Sequence, residues 1–161
     1  MKKKAIVLSI FILSFILCAI SLSGCGLFFN DSVPRNKIFA YVNDNHELLE
    51  AFPYAEMPKE PQEKKNYIIN YLGKNTIVKS VYAFNENILR FTCGGSGLAT
   101  GSTYTGFYFS KDDTPFALEF DGHELIEIEP GIFEWQNEDG RHKIHIEKIR
   151  DHWYYFVMDY Y

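Results

Sequence analysis

The chain that follows residue 34 opens with hydrophobic residues at helical spacing. They recur in steps of three and four, which places their side chains on one face of an α-helix. The stripe consists of Ile38, Tyr41, Val42, Leu49 and Phe52. This pattern predicts an amphipathic helix over about 35–52, ended by Pro53.

A second helix is predicted over about 60–72. Pro61 suits the first turn, where its missing N–H needs no intrahelical partner, and Glu60 and Glu63 lie near the positive end of the helix dipole. Gly73 suits the position after a helix C-terminus.

From Thr76 onward the period changes to two, and turn residues separate short runs that are typical of strands. The predicted strands include 76–84, 88–93, 103–110, 116–120, 123–128, 142–149 and 153–158. Their short connections favour antiparallel pairing, because parallel crossovers are longer. The sequence therefore predicts an α+β fold, with two N-terminal helices packed on a curled antiparallel β-meander of about seven or eight strands, closed toward a barrel or sandwich.

Two of these runs are apolar on both faces. Residues 104–109 and 153–158 lack the alternation that marks a half-buried strand. We expect them to be central strands with material packed on each side, and the helices to supply that cover.

The first 24 residues resemble a bacterial export signal. Lysines at positions 2–4 precede an apolar stretch over 5–20 that is short for a membrane span. The following LSGC sequence, ending at Cys25, resembles the lipobox, in which the cysteine is acylated and becomes the new N-terminus. An ordinary signal peptide cleaved near Gly24, leaving a free cysteine, is the alternative.

The lipobox interpretation divides the chain into a signal peptide (1–24), a tether (25–34) and a single α+β domain (35–161). Two acyl chains, such as palmitate, anchor a protein stably where one does not. We therefore expect lipid on Cys25 to hold the domain at the cell membrane, on its extracytoplasmic face.

Only Cys93 would remain beside the acylated Cys25, since Cys18 lies in the signal. No intrachain disulfide is then expected, and packing must hold the domain together. Cys93 is in phase with the apolar residues Leu89 and Phe91, so we expect a buried, inert thiol rather than a nucleophile.

Acidic residues are concentrated in one segment. The chain has a formal net charge of −5, and residues 112–139 carry ten acids and no Lys or Arg. This field excludes nucleic acid as a partner for that face and favours a cation, a basic protein or a wall component. The candidate binding surface comprises Glu119, Glu127, Glu129 and Glu134. Alternatively, these acids only protect strand edges from aggregation.

The glycine-rich segment 93–97 (CGGSG) allows two interpretations: an anion-binding loop or a tight, bulged corner. It lacks the Lys-Ser/Thr of a phosphate loop, and Leu98 stands where a nucleophile elbow has glycine. The histidines lack metal-ligand spacing, and His142 and His145 should point to opposite faces of a strand. We expect no cofactor and no metal, and Asp112 with Asp113 should form a turn.

Several segments carry a resemblance to a group of small proteins of Firmicutes, particularly clostridia. They are residues 93–97 (CGGSG), 106–115 (GFYFSKDDTP) and 147–156 (EKIRDHWYYF), with Trp135 and Gly140 between them. The resemblance implies a Firmicute source and a compact sheet domain, and it transfers no catalytic or binding residue.

Two classes of function follow. The first is a binding or interaction module anchored to the membrane. The second is a cell-envelope hydrolase or transferase, whose carboxylate pair or Cys–His couple would have to converge from distant strands. We favour the module, because no nucleophile and base can be named.

Overall fold

Two helices precede seven strands in the computed structural model, which describes residues 32–97, 101–120 and 122–161. The helices are α1 (Arg35–Glu50) and α2 (Pro61–Leu72). The strands are β1 (Ser80–Ala83), β2 (Ile88–Ser96), β3 (Ser102–Ser110), β4 (Ile126–Glu129), β5 (Ile132–Gln136), β6 (His142–Arg150) and β7 (Trp153–Tyr160). The signal peptide and Cys25 lie outside the described residues, so their assignments stay predictions. None of the helices in the described ranges is long and apolar enough to cross a membrane.

Both predicted helices are confirmed, with their local signals in place. Pro61 begins α2, and Gly73 follows its last residue with a positive φ of 91°. Of the predicted stripe, Ile38, Val42 and Leu49 are fully inaccessible in α1, Tyr41 is half-buried, and Phe52 is buried just beyond the end of the helix. This stripe packs α1 on β3, β6 and β7.

The seven strands form one antiparallel sheet, as predicted, but their order is not that of a meander. The order is β1-β2-β3-β7-β6-β5-β4, so β3 pairs with the last strand and not with β4. The connection over 111–125 is long enough to carry the chain to the far edge of the sheet. From that edge, β4, β5, β6 and β7 follow in order back toward the centre of the sheet, where β7 pairs with β3. The sheet is open, with β1 and β4 at its edges, instead of curled into a barrel.

The predicted strand over 116–120 is wrong. These residues belong to the connection and end in a 3-10 turn, Leu118–Phe120. Their alternating apolar side chains still pack inward, since Leu118 is fully buried against the sheet. These residues lie over a face of the sheet and not beside an edge strand, so they bury apolar side chains without a strand backbone to pair with. The next predicted strand, over 123–128, is the shorter strand β4, over Ile126–Glu129.

Two apolar cores lie on opposite faces of the sheet. On the helix face, α1 and α2 cover Phe91, Phe107 and Trp153. On the other, which we call the connection face, apolar residues of the connection pack against Tyr154 and Phe156; they are Phe116, Leu118, Phe120 and Leu125. Strands β3 and β7 are central and covered on both sides, as predicted, but the helices supply only one of the two covers.

Candidate binding groove

An open groove of about 670 Å³ lies on the connection face. We call it the polar groove. The residues that matter for its chemistry are Ser80, Arg90, Thr92, Ser102, Tyr104, Glu119, His142, Tyr160 and Tyr161. They come from β1, β2, β3, β6, β7, the chain end and the connection, so only the folded sheet brings them together.

The glycine-rich segment shapes this groove and is the predicted bulged corner. The pairing register shifts between Thr92 and Gly94, which marks a β-bulge in β2. Beyond the bulge, Gly95 is paired with Tyr104. A Cβ on Gly95 would lie 3.2 Å from the Tyr104 ring, so the missing side chain lets this ring lie close over β2.

A charge-assisted network crosses the groove. The Arg90 guanidinium donates through Nη1 to Glu119 Oε1 at 2.5 Å, and the Tyr160 hydroxyl donates to the other oxygen of Glu119. The Arg90 guanidinium also lies 5.2 Å from the centre of the Phe84 ring. The Arg90 side chain is 15% exposed and that of Glu119 is 39% exposed. The pair is therefore partly withdrawn from water, which strengthens it relative to a surface ion pair.

Two buried polar atoms in this groove have no hydrogen-bond partner among the described residues. They are Arg90 Nε and His142 Nδ1. The His142 ring is fixed by aromatic neighbours, with its centre 5.8 Å from that of Tyr160 and 6.2 Å from that of Phe120. Buried polar atoms are normally satisfied, so each exception calls for a missing partner such as water or a ligand.

Glu119 is held in place by a residue in an unfavourable backbone conformation. Leu118 has a φ of 53°, in the left-handed region that a leucine rarely adopts, and its side chain is fully buried. Burial of the leucine side chain offsets the strain and directs the next residue, Glu119, across the groove. Strain of this kind is concentrated at functional sites.

The structure separates the four glutamates of the predicted binding surface. Glu119 lies in the polar groove, whereas Glu134 lies on the helix face, bonded to His145 at 2.8 Å. Glu127 accepts a hydrogen bond from the backbone N–H of Gly131 at 3.0 Å. Glu129 is exposed on β4, beyond a register shift. Across the described ranges, no three His, Cys, Asp or Glu side chains are grouped so that they could hold a metal ion.

A second groove, of about 540 Å³, lies beside Ile126 and Ile128 on the helix face. Its charged groups pair with each other: Glu134 bonds His145, and Asp159 lies 3.2 Å from Lys143. The two isoleucines are exposed by 65% and 51% on edge strand β4. A bulge and flanking glutamates interrupt this edge, which are features that protect an edge strand from pairing with another chain.

Asp113 forms a structural centre at the predicted turn before Pro115. Its carboxylate accepts hydrogen bonds from Lys148 Nζ and from the His152 backbone N–H, both at 2.7 Å, and from the Tyr154 hydroxyl at 3.0 Å. Burial opposes ionisation of this carboxyl, but these three donors hold its pKa below the usual value. Asp113 thus ties the connection to the β6–β7 hairpin.

Cys93 is the buried thiol that the sequence predicted. It is fully inaccessible in the core of the helix face, and burial raises the pKa of its thiol. A thiol in this state is a poor nucleophile. His142 and His145 lie on opposite faces of the sheet, also as predicted, because one lines the polar groove and the other pairs with Glu134.

Sequence reasoning missed most of the polar groove. Arg90, Tyr104, His142 and Tyr160 are far apart in the chain, and among the groove residues the sequence predicted a binding role only for Glu119, with His142 considered solely as a metal ligand. One signal was present: Arg90 is an isolated cation within the apolar strand sequence ILRF. A buried or half-buried arginine needs a partner, but no pattern in the chain indicated that Glu119 would supply it.

Comparison with known protein families, curated proteins and solved structures finds no match to this chain. The chemistry of the groove itself is therefore what bears on function.

Proposed function

We propose that this protein is a membrane-anchored, extracytoplasmic binding protein whose ligand occupies the polar groove. The observation that carries the proposal is the convergence of Arg90, Glu119 and His142 with the exposed rings of Tyr104 and Tyr161 in one open groove. Binding sites are typically concave, with few polar groups that converge on the ligand. A ligand bound there would hydrogen-bond to polar side chains of the groove and displace water from the rings of Tyr104 and Tyr161.

Binding explains this groove better than catalysis does. A hydrolase or transferase acting on the envelope would need a free base beside a nucleophile. The carboxylate in the groove, Glu119, is already bonded to Arg90 and Tyr160. The histidine that lines the groove, His142, would be the alternative base, but its Nδ1 atom makes no hydrogen bond to any hydroxyl among the described residues. Cys93 lies on the other face.

The location is proposed from the N-terminal sequence. The basic start, the apolar stretch and the LSGC sequence ending at Cys25 support export and acylation. The described domain begins its first helix at Arg35, a short tether after Cys25. A domain placed there would face the cell wall in a Gram-positive cell, so a wall component is the partner we propose.

The anchor is tested by the substitution Cys25→Ser. We expect loss of lipid labelling, and release of the protein into the medium or accumulation of the unprocessed form, because serine cannot accept the diacylglyceryl group through a thioether. The measurement is metabolic labelling with a radioactive fatty acid, followed by membrane fractionation. Labelling of the serine variant at the parent level would contradict the lipoprotein assignment.

The binding function is tested by co-sedimentation of the full chain, in detergent micelles, with insoluble peptidoglycan from a Gram-positive cell. We expect the parent protein to sediment and Arg90→Lys to lose most of this binding, since lysine keeps the charge but removes Nε and the planar fork. Glu134→Gln, in the second groove, is the control and should sediment like the parent. Failure of the parent to sediment would contradict the proposed partner.

A further inference from the structure

We infer that the polar groove binds an uncharged saccharide, through hydrogen bonds with the polar side chains that line it, among them Arg90 and His142, and through ring contact with Tyr104. This inference rests on the proposed function, because it names the ligand class of the same groove. It is carried by charge balance, hydrogen-bonding capacity and the exposed aromatic surface.

The charged groups in the groove neutralise each other. Arg90 and Glu119 are bonded at 2.5 Å, and the Tyr160 hydroxyl occupies the second oxygen of the carboxylate. An anionic ligand would have to compete with Glu119 for Arg90, and a cationic ligand would have to compete with Arg90 for Glu119. Breaking this partly buried pair would leave one charge without its partner, and the less exposed Arg90 would lose most by it. A ligand without net charge avoids this.

The remaining polar groups both donate and accept. Ser80, Thr92 and Ser102 contribute hydroxyls to the groove, while the Arg90 guanidinium can only donate. The ring nitrogens of His142 donate or accept according to the tautomer. Sugar hydroxyls match this mixture because each is at once a donor and an acceptor.

Aromatic rings supply the apolar part of the groove. Tyr104 is 42% exposed, and Tyr161 at the chain end is 58% exposed. Two contacts restrict the Tyr104 ring: Gly95 lies beneath it, and the Tyr160 ring meets it edge-on, with centres 5.8 Å apart at 82°. A rigid exposed ring binds the C–H face of a pyranose with little loss of conformational entropy.

The size of the groove fits more than one sugar ring. Its volume of about 670 Å³ lies within the range of roughly 300–1,000 Å³ that is usual for small-molecule sites. The groove is open to solvent, so a ligand could extend beyond it. We therefore expect a disaccharide or longer oligosaccharide rather than a monosaccharide.

The test is titration of the full chain with N,N′-diacetylchitobiose and with cellobiose, followed by NMR chemical shifts. The detergent must have a zwitterionic headgroup, because alkyl glycosides would themselves occupy the groove. A chitosan disaccharide, a galacturonate disaccharide and trilysine serve as cationic, anionic and peptide comparators. We expect at least one neutral disaccharide to bind and to shift the signals of Tyr104 and His142. The inference is overturned if no neutral disaccharide binds, or if any charged comparator binds more tightly than both.

His142→Phe and His145→Phe form a matched pair, since the same change is made on opposite faces of β6. We expect His142→Phe to weaken saccharide binding about three- to tenfold, as for the loss of one hydrogen bond, and His145→Phe to leave it unchanged. Tyr104→Leu, which removes an exposed ring, is the second variant in case His142→Phe does not fold. Equal effects of the two histidine substitutions, or no effect of Tyr104→Leu, would overturn the saccharide assignment.

The same sugars separate this inference from the proposed function. In the sedimentation assay, excess neutral disaccharide should release the parent protein from peptidoglycan. If the protein sediments in an Arg90-dependent way but no neutral saccharide releases it, the groove binds another wall chemistry and only the saccharide inference fails. If the protein does not sediment and binds no saccharide, both fail.

Discussion

Gly106→Ala should destabilise the domain by about 3 kcal/mol, at the upper end for overpacking a core. Gly106 lies in β3 at the centre of the sheet, opposite Thr92 on one side and Phe156 on the other. An added Cβ would lie 2.1 Å from the Phe91 carbonyl oxygen and 2.9 Å from the Phe156 ring. The carbonyl belongs to the β2–β3 ladder, so it cannot move without loss of pairing. A loss of this size is a large fraction of the ~5–15 kcal/mol that stabilises a typical domain.

Gly95→Ala is the control for this prediction. Gly95 lies in β2, but its added Cβ would approach the Thr103 oxygen and the Tyr104 ring only to 3.2 Å, an overlap that a shift of a few tenths of an ångström relieves. We expect less than half the destabilisation of Gly106→Ala in urea unfolding followed by circular dichroism. Equal midpoints for the two variants would contradict the packing described here for Gly106. Gly95→Ala should nevertheless disturb saccharide binding, because it displaces Tyr104.

Asp113→Ala should cost about 2 to 4 kcal/mol. The substitution removes three hydrogen bonds to a charged group, each worth up to about 3 kcal/mol alone but not additive. It also places alanine at a φ of 51°, which aspartate and asparagine tolerate better. Lys148 and His152 lose their shared carboxylate, whereas the Tyr154 hydroxyl keeps its bond to the backbone carbonyl of residue 113 at 2.8 Å. We therefore expect the connection to separate from the β6–β7 hairpin first at His152. Hydrogen exchange at the His152 amide measures this local opening.

The pH dependence of the unfolding free energy distinguishes what the negative charge of Asp113 contributes from what the size and backbone preference of its side chain contribute. The folded pKa is depressed, so the stabilisation by the charge is present above the unfolded value of about 3.9 and is lost as pH falls through the folded pKa. Asp113→Asn keeps the tolerance for positive φ and one acceptor oxygen. The difference in unfolding free energy between parent and Asp113→Asn should be constant from about pH 7 to 5 and shrink below about pH 4. A difference that persists undiminished at about pH 2 would show that the charge is not responsible.

Local signals in the sequence were sufficient for the elements that depend on local chemistry. Pro61 and Gly73 mark α2 because they suit only the first turn and the position after the last turn of a helix. The period of two predicted strands, the short connections between them predicted antiparallel pairing, and the burial of Cys93 followed from its phase with Phe91. These predictions succeed because side-chain direction depends on the backbone period alone.

The same patterns could not specify which strand pairs with which. A run that is apolar on both faces must be central, and β3 and β7 are, but nothing in either run indicates that they are neighbours. Pairing depends on the path of the 111–125 connection across the sheet. Residues 116–120 show how far periodicity can be used. Their alternating apolar residues correctly predicted buried side chains, but the strand predicted from the same alternation does not form.

The sequence by itself thus determined two helices, an antiparallel sheet, a buried thiol and an N-terminus with the pattern of a lipid anchor. Only the tertiary structure decided the strand order, the separation of the four glutamates and the existence of the polar groove. Arg90, Glu119, His142 and Tyr160 lie on four different segments of the chain. Periodicity reports which face of an element is buried, whereas a site of this kind depends on which distant elements meet, and that is fixed by long-range packing and pairing.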